Sequence, residues 1–434
     1  MARRALLIAG LSSGSGKTTL TLGLLRALHR QSADIGAAKA GPDYIDTAFL
    51  AAACGKPAFN LDSVAMSDEM LLGLAERSVG ETLVIEGVMG LFDGTDGGRG
   101  SSAEIAQKLG AGIVLVIDCQ HQAQTAAALA AGLARELPPD THFAGVILNR
   151  VASARHEKLI AEALAARDIR LIGSVPVCAE ASVPSRHLGL VQSGDLASKG
   201  ELESIINAAA NLVEAHIDCR ALLALAQPLA PAGTASLTCP ITPPGQRVSM
   251  ALDVAFGFHY QHMLEGWRDM GASIQTFSPL NNEAPAADAD FIFLPGGYPE
   301  LHLPTLSTAI GFTTGLQKAA EAQVPIYGEC GGFMTLGKRI IDASGTAFDM
   351  AGLLDLETSF AARKLHLGYR TLQTEARLSW LGAQPVTGHE FHYTQATFEN
   401  GDPLFSASDM AGNALGKMGL VKNSVAGSYA HIIC

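Results

Sequence analysis

Ala5-Leu6-Leu7-Ile8-Ala9-Gly10-Leu11-Ser12-Ser13-Gly14-Ser15-Gly16-Lys17-Thr18-Thr19 decides how the rest of this chain reads. Five apolar residues run without alternation, then a glycine–serine loop, then a helical stretch over Thr18–Arg30. An unbroken apolar strand is buried on both faces, as in a parallel sheet covered by helices. A glycine-rich loop at such a junction lets successive backbone N–H groups face one concavity. The helix N-terminus adds positive potential, and Lys17 reaches the outer phosphates of a nucleotide. Ser13, Gly14, Ser15, Gly16, Lys17, Thr18 and Thr19 are therefore the expected ATP-binding residues, with Thr18 also placed to hold Mg²⁺. The strict phosphate-loop pattern asks for glycine at position 11, where this chain has Leu11; Gly10 stands one place early. The competing reading, a flexible turn with a solvated lysine, is weakened by the strand before the loop and the helix after it.

The rhythm continues outward. Ile35–Lys39, Leu83–Glu86, Ile113–Asp118, Gly145–Asn149 and Leu171–Val175 read as further buried strands, with Ser102–Leu109 among the helices between them. Strands alternating with helices specify an α/β fold with a parallel sheet. Pro228, Pro231, Pro240, Pro243 and Pro244 then mark a proline-rich interval without periodicity, so 225–246 is expected to be a linker between a domain at 1–224 and another at 247–434. The α/β pattern restarts at Val248–Leu252 and runs through Ser273–Phe277, Phe291–Leu294 and Val324–Tyr327.

Length and composition agree. A chain of 434 residues exceeds what one core usually organises. Net charge is −12, which disfavours nucleic acid as a partner. Seven cysteines without paired spacing fit reduced thiols in a cytoplasmic protein. Arg3 and Arg4 before a short apolar run resemble a leader peptide in outline, but the run ends in the Gly/Ser loop and reads as the first strand. No apolar stretch is long enough to span a bilayer, so no membrane partner is expected.

A phosphate loop needs carboxylates to organise a metal. Glu86 ends a buried strand, at the edge where parallel sheets bind ligands. Asp43 and Asp46 follow the second strand, and Asp93 lies in Gly90-Leu91-Phe92-Asp93-Gly94. Their oxygens suit Mg²⁺; capping helices or bracing turns is the competing role for each.

The second half carries a different chemistry. Val324-Pro325-Ile326-Tyr327-Gly328-Glu329-Cys330-Gly331-Gly332-Phe333 reads as a strand, a tight turn and a helix. A turn of this kind exposes a nucleophile, and the helix N-terminus is expected to favour the thiolate. Backbone N–H groups of Gly297, in Pro295-Gly296-Gly297-Tyr298-Pro299-Glu300, and of Gly331 could form an oxyanion hole. The candidate base is His431, with His389 and His392 as rivals. Two histidines and Glu390 without a helical metal frame favour a substrate-facing or structural role for that cluster.

These motifs together resemble a known family. The Cys330 turn, the Pro-Gly-Gly-Tyr-Pro-Glu loop and the late histidine are similar to a class I glutamine amidotransferase domain. The early-glycine loop resembles dethiobiotin synthetase. Both in this order resemble the cobyrinic or hydrogenobyrinic acid a,c-diamide synthases of cobalamin biosynthesis. So do Lys39-Ala40-Gly41-Pro42-Asp43-Tyr44-Ile45-Asp46, Asn60-Leu61-Asp62, Glu86–Gly94, Arg186-His187-Leu188-Gly189-Leu190, Gly368-Tyr369-Arg370 and Gly388-His389-Glu390-Phe391-His392. The resemblance implies that ATP converts the a and c acetates of a corrinoid acid to acyl phosphates, which ammonia from glutamine then attacks. It implies Thr18, Glu86 and Asp46 at the metal, and Asp43, Tyr44, Asp46 and Asp93 where ATP meets the macrocycle. Asn149 is expected to read adenine, and a homodimer is the expected assembly. Two departures stand out. Classical amidotransferases place a glutamate two residues after the histidine, and this chain has Ile433 there, so a dyad or an acid from elsewhere is implied. Ser185 stands where the family often has an acid, which leaves the contacts of Arg186 and His187 open.

The alternatives are a cobyric acid synthase, disfavoured by Glu86–Gly94; a nickel sirohydrochlorin a,c-diamide synthase; and a non-catalytic nucleotide-binding regulator, which intact Lys17 and Cys330 disfavour. The choice between cobalt-free and cobalt-containing substrate stays open, with a lean to the cobalt-free acid.

Overall fold

In a computed structural model the described residues are 3–78, 80–181, 185–186, 189–190, 200–232, 241–375, 380–382 and 384–434. The chain divides into two compact units, Met1–Leu237 and Thr238–Cys434.

The first unit is built on β1 (Arg4–Gly10), β2 (Ile35–Ala40), β3 (Ala58–Leu61), β4 (Thr82–Glu86), β5 (Gly112–Asp118), β6 (Phe143–Val151) and β7 (Leu171–Pro176). They pair in the order β3-β2-β4-β1-β5-β6-β7, all parallel. Ala5 to Gly10 of β1 are all buried, as expected of a central strand with helices on both faces. β1 lies between β4 and β5, where the winding of the chain reverses, so the loop that leaves it opens at a crevice. The helix Lys17–Arg30 follows this loop and packs on the helix Glu201–His216. Contact is close because Gly23 has no side chain: a Cβ there would sit 2.4 Å from the Ala209 carbonyl oxygen. Arg26–Glu203 (2.6 Å) and Arg30–Glu214 (3.2 Å) pairs flank the seam. Within the expected linker, Gln227–Pro228 pairs antiparallel with the start of β1 and so packs in this unit. Of the Arg186–Leu190 motif, His187 and Leu188 lie outside the described residues.

The second unit holds a mixed ten-stranded sheet. Its parallel part runs Ser273–Phe277, Arg247–Ala251, Phe291–Leu294, Ile326–Glu329 and Val425–Ser428. Antiparallel strands continue it through Ala414–Lys422, Asp402–Ser408, His366–Thr374 and Val386–His392 to the short strand His431–Ile432. The apolar core includes Phe256, Leu294, Phe312, Phe333 and Leu356. The strand expected at Val324–Tyr327 is Ile326–Glu329 instead. Val324 N–H still closes the preceding helix on the Ala319 carbonyl, and Pro325 has no N–H to join a ladder. Among the described residues, no helix is long and apolar enough to cross a membrane.

Candidate functional site

The phosphate loop explains its own irregularity. Gly14 and Gly16 take the left-handed conformation, with φ of 78° and 90°, whereas Leu11 does not, so position 11 makes no demand for glycine. Position 10 does: a Cβ on Gly10 would lie 2.4 Å from Ser15 Oγ and 3.0 Å from the Lys17 side chain. The loop is held by its neighbours. Leu91 N–H donates to the Gly10 carbonyl (2.9 Å), tying the Glu86–Gly94 segment to it. Lys17 Nζ donates to the carbonyls of Ser12 (3.1 Å) and Met89 (2.5 Å). Burial, together with nearby Lys39, lowers the Lys17 ammonium to about 8.

The expected metal acids converge on one cation that sequence reasoning gave no role. Lys39 Nζ, buried on β2, lies 2.5 Å from Asp46 Oδ2 and 3.1 Å from Glu86 Oε1. Thr18 Oγ1 donates to the same Glu86 oxygen at 2.6 Å. The other two oxygens, Asp46 Oδ1 and Glu86 Oε2, are buried without a hydrogen-bond partner. Such oxygens are costly unless something electropositive reaches them. Two orphaned carboxylate oxygens beside a hydroxyl fit a hard divalent cation such as Mg²⁺. Burial raises the Glu86 carboxyl, opposed by Lys39.

Asp43 caps the helix Tyr44–Cys54, accepting from the N–H groups of Ile45 (2.9 Å) and Asp46 (3.1 Å). Burial and neighbouring Asp46 push it up to about 7. Tyr44 is buried in the first turn of that helix. Asn60 braces the same loop, donating to the carbonyls of Gly41 and Asp43 (both 2.9 Å). Asp93 is exposed and accepts from Gly90 N–H (2.8 Å), closing a turn. Asn149 Nδ2 donates to the Ser15 carbonyl at 2.9 Å, in the space a Gly16 side chain would need, so the expected adenine reader also touches the phosphate loop. Its neighbour Arg150 donates to the Gly14 carbonyl (3.0 Å) and pairs with Asp118 (2.5 Å). Both residues brace the loop from β6.

In the second unit, Cys330 sits between the strand Ile326–Glu329 and the helix Gly331–Leu336 at φ 45°, ψ −103°. Such a conformation in a non-glycine residue marks a strained nucleophile turn. Gly332 permits it, since a Cβ there would lie 2.0 Å from the Leu294 carbonyl oxygen. The expectation of a resting thiolate is corrected. Burial, followed by the charge of Glu300, pushes the thiol well above its usual range, and the Gly331 amide offsets only part of this. The thiol therefore needs a base.

That base is at hand. A Cβ added to Gly296 would stand 2.9 Å from His431 Nε2 and 3.3 Å from Cys330 Cβ, so both side chains border one small face. His431 is fully buried, and burial lowers its imidazole to about 3. Gly297 and Gly331 also adjoin: a Cβ on Gly331 would be 2.9 Å from Gly297 N. His389 lies opposite His431 across the sheet. His392 is engaged elsewhere, with Nδ1 on the Thr394 carbonyl (3.0 Å) and Nε2 on Glu390 Oε1 (2.8 Å). Arg370 Nε holds the other Glu390 oxygen at 2.7 Å. His366, Glu390 and His392 could gather ligand atoms within 4.8 Å, but the Glu390 carboxylate is already taken by protein partners.

Comparisons with known proteins match these two halves. Residues 6–191 match the CobQ/CobB/MinD/ParA nucleotide binding domain, and residues 247–434 match the CobB/CobQ-like glutamine amidotransferase domain. Over almost its whole length the chain is 48% identical to the hydrogenobyrinate a,c-diamide synthase of Rhizobium meliloti, covering 99% of this chain and 98% of that one. The chain belongs to the hydrogenobyrinate a,c-diamide synthase family. The synthase of Brucella abortus is likewise 48% identical, and that of Rhodobacter capsulatus 47%, each over 99% of this chain and 98% of its own. In this member of the diamide synthase family, sequence reasoning missed Lys39, Arg150 and Glu300. Lys39 had a signal, a lone lysine at the end of a buried strand; the other two depend on contacts across distant segments.

Proposed function

We infer that the protein is an ATP-dependent, glutamine-hydrolysing ligase that amidates the a and c acetate side chains of hydrogenobyrinic acid in cobalamin biosynthesis. The near full-length identity to synthases of that name carries this reading. The intact phosphate loop and cysteine turn support it and speak against a non-catalytic regulator. That these relatives are hydrogenobyrinate synthases favours the cobalt-free acid over cobyrinic acid and over nickel sirohydrochlorin.

The chemistry divides between the units. A carboxylate repels nucleophiles and offers a poor leaving group, so it must first be phosphorylated. Ser13 to Thr19 would cradle the ATP phosphates, with Lys17 swinging from the Ser12 and Met89 carbonyls to the transferred group. Thr18, Glu86 and Asp46 would hold Mg²⁺, whose charge offsets that of the phosphates. Asp43, Tyr44, Asp46 and Asp93 would line the border between ATP and the macrocycle, and Asn149 would meet the adenine while bracing the loop through Ser15. Ammonia would come from the second unit. His431 would take the Cys330 proton as sulfur attacks the glutamine amide carbon, and would return it to the departing nitrogen. Gly297 and Gly331 N–H groups would receive the oxyanion. Water then releases glutamate from the thioester. A homodimer in the cytoplasm is the setting assigned.

Incubating the protein with ATP, glutamine and a panel of tetrapyrrole acids tests the substrate. The diamide of hydrogenobyrinic acid should form fastest, as read by mass spectrometry. A preference for nickel sirohydrochlorin would overturn the assignment.

A further inference from the structure

Ile433 occupies the position two residues after the histidine. It is fully buried and apolar, and its carbonyl accepts from His262 Nε2 at 2.9 Å. A carboxylate nevertheless reaches His431 from a different place in the sequence. Glu329 ends the strand Ile326–Glu329, one residue before the nucleophile, and is 3% exposed. Its Oε1 accepts from Ile432 N–H at 3.0 Å, which anchors the carboxylate to the short strand that carries the histidine. Its Oε2 lies 3.6 Å from His431 Nδ1. The Cε1–Nε2 edge of the ring faces Gly296, at a position that also adjoins Cys330 Cβ. Glu329, His431 and Cys330 thus gather in one buried site, with the carboxylate at Nδ1 and Nε2 on the ring edge that faces Gly296 beside Cys330.

We propose that Glu329 is the positioning carboxylate of the Cys330–His431 pair, holding the proton on Nδ1 so that Nε2 is open to the thiol. The proposal rests on the glutaminase reading above. A neutral imidazole has one proton to place, and only the Nδ1–H form can accept from sulfur at Nε2. When the thiol proton moves to Nε2, the ring becomes cationic beside an anionic oxygen in a buried setting. The attraction is greatest at that moment. The 3.6 Å separation is an ion-pair distance rather than a hydrogen bond, and charge on the ring draws the two together.

The same burial sets a pH dependence. The groups around His431 are His389 and His392, Glu329 and Cys330. Tyr327 and Cys330 feel the Glu329 charge, and Glu300 and Glu390 act on Cys330. Burial raises Glu329 to about 8, so its charged form grows as pH rises through that value. Glutamine hydrolysis should rise over the same interval.

Glu329→Gln tests this, because it keeps an oxygen for Ile432 N–H and removes the charge. Glutamine hydrolysis should fall about a hundredfold or more, the scale of a lost acid–base arrangement. Its rise near pH 8 should disappear, and Glu329→Asp should recover part of both. Amidation with added ammonia should be unchanged, which also reports that the protein is folded. Wild-type rate and pH profile in Glu329→Gln would overturn the proposal. So would a slower variant that keeps the wild-type pH profile, since a purely structural role gives that result. If Glu329→Gln does not fold, Glu329→Asp with no rise near pH 8 overturns it. A wild-type protein that hydrolyses no glutamine at any pH would instead remove the glutaminase reading, and this proposal with it.

Discussion

Replacing Gly296 by alanine should disable glutamine use while sparing the ligase chemistry. Gly296 is not in the left-handed region, so the substitution acts through volume alone. The new methyl would lie 2.2 Å from His431 Cε1, 2.9 Å from Nε2 and 3.3 Å from Cys330 Cβ. Carbon atoms in contact prefer about 3.5–4.0 Å, so the ring or the loop must give by about 1 Å or more. Neither has room. His431 is fully buried, His389 lies beside it on the neighbouring strand, and the Gly296 carbonyl accepts from Phe258 N–H at 2.9 Å. A displacement of that size in a reacting group costs about a hundredfold in rate. Overpacking should cost a further ~1–3 kcal/mol of stability. The assay compares glutamate release with ADP formation driven by added ammonia. The variant should lose about two orders of magnitude in kcat/KM for glutamine and keep the ammonia-driven rate. Unchanged glutamine kinetics in a folded variant would refute the placement of His431 against Gly296 and Cys330.

Two further outcomes follow from buried contacts. Asn149→Ala removes the hydrogen bond to the Ser15 carbonyl and should weaken ATP binding about five- to a hundredfold, as for a buried acceptor left unpaired. Contact with adenine predicts a change in the ATP-to-GTP ratio by calorimetry; the same loss for GTP would leave Asn149 the bracing role alone. Acidification should loosen the second unit. Burial holds His259, His262 and His389 at about 4 and His431 at about 3, so between pH 6.5 and 4 the unfolded chain binds protons that the folded chain refuses. Stability from these four is lost as pH falls. Glu300 and Glu329, raised to about 7 and 8, act in the opposite sense, because the folded state keeps protons that the unfolded state sheds above about 4.5. Four against two leaves a loss of roughly 3 kcal/mol per pH unit between about pH 6 and 4.5. Both tryptophans, Trp267 and Trp380, are buried in this unit, so fluorescence melting of the full chain reads it directly. A melting temperature flat from pH 6.5 to 4.5 would contradict this balance.

The sequence pattern revealed most of the parallel framework because those strands are buried on both faces and leave continuous apolar runs. Ser273–Phe277, Phe291–Leu294 and the helix Ser102–Leu109 match their expected bounds. Val324 was misplaced because an apolar residue before a proline looks the same whether it ends a helix or starts a strand. The cysteine turn was readable from its glycines, but the direction of the thiol shift was not, because it depends on how deeply Cys330 is buried and on Glu300. Asn149 illustrates the same limit: its position at the end of β6 was legible, whereas its bond to Ser15, 134 residues away, is a property of the fold. The glycine missing at position 11 became intelligible once the loop's dihedral angles were known.

The division of labour is tested most directly by Cys330→Ala and Lys17→Ala, each given hydrogenobyrinic acid and ATP with either glutamine or ammonia, and the diamide measured by mass spectrometry. Cys330→Ala should make no diamide from glutamine and the wild-type amount from ammonia. Lys17→Ala should make none from either. Diamide from glutamine without Cys330, or from ammonia and ATP without Lys17, would contradict the account.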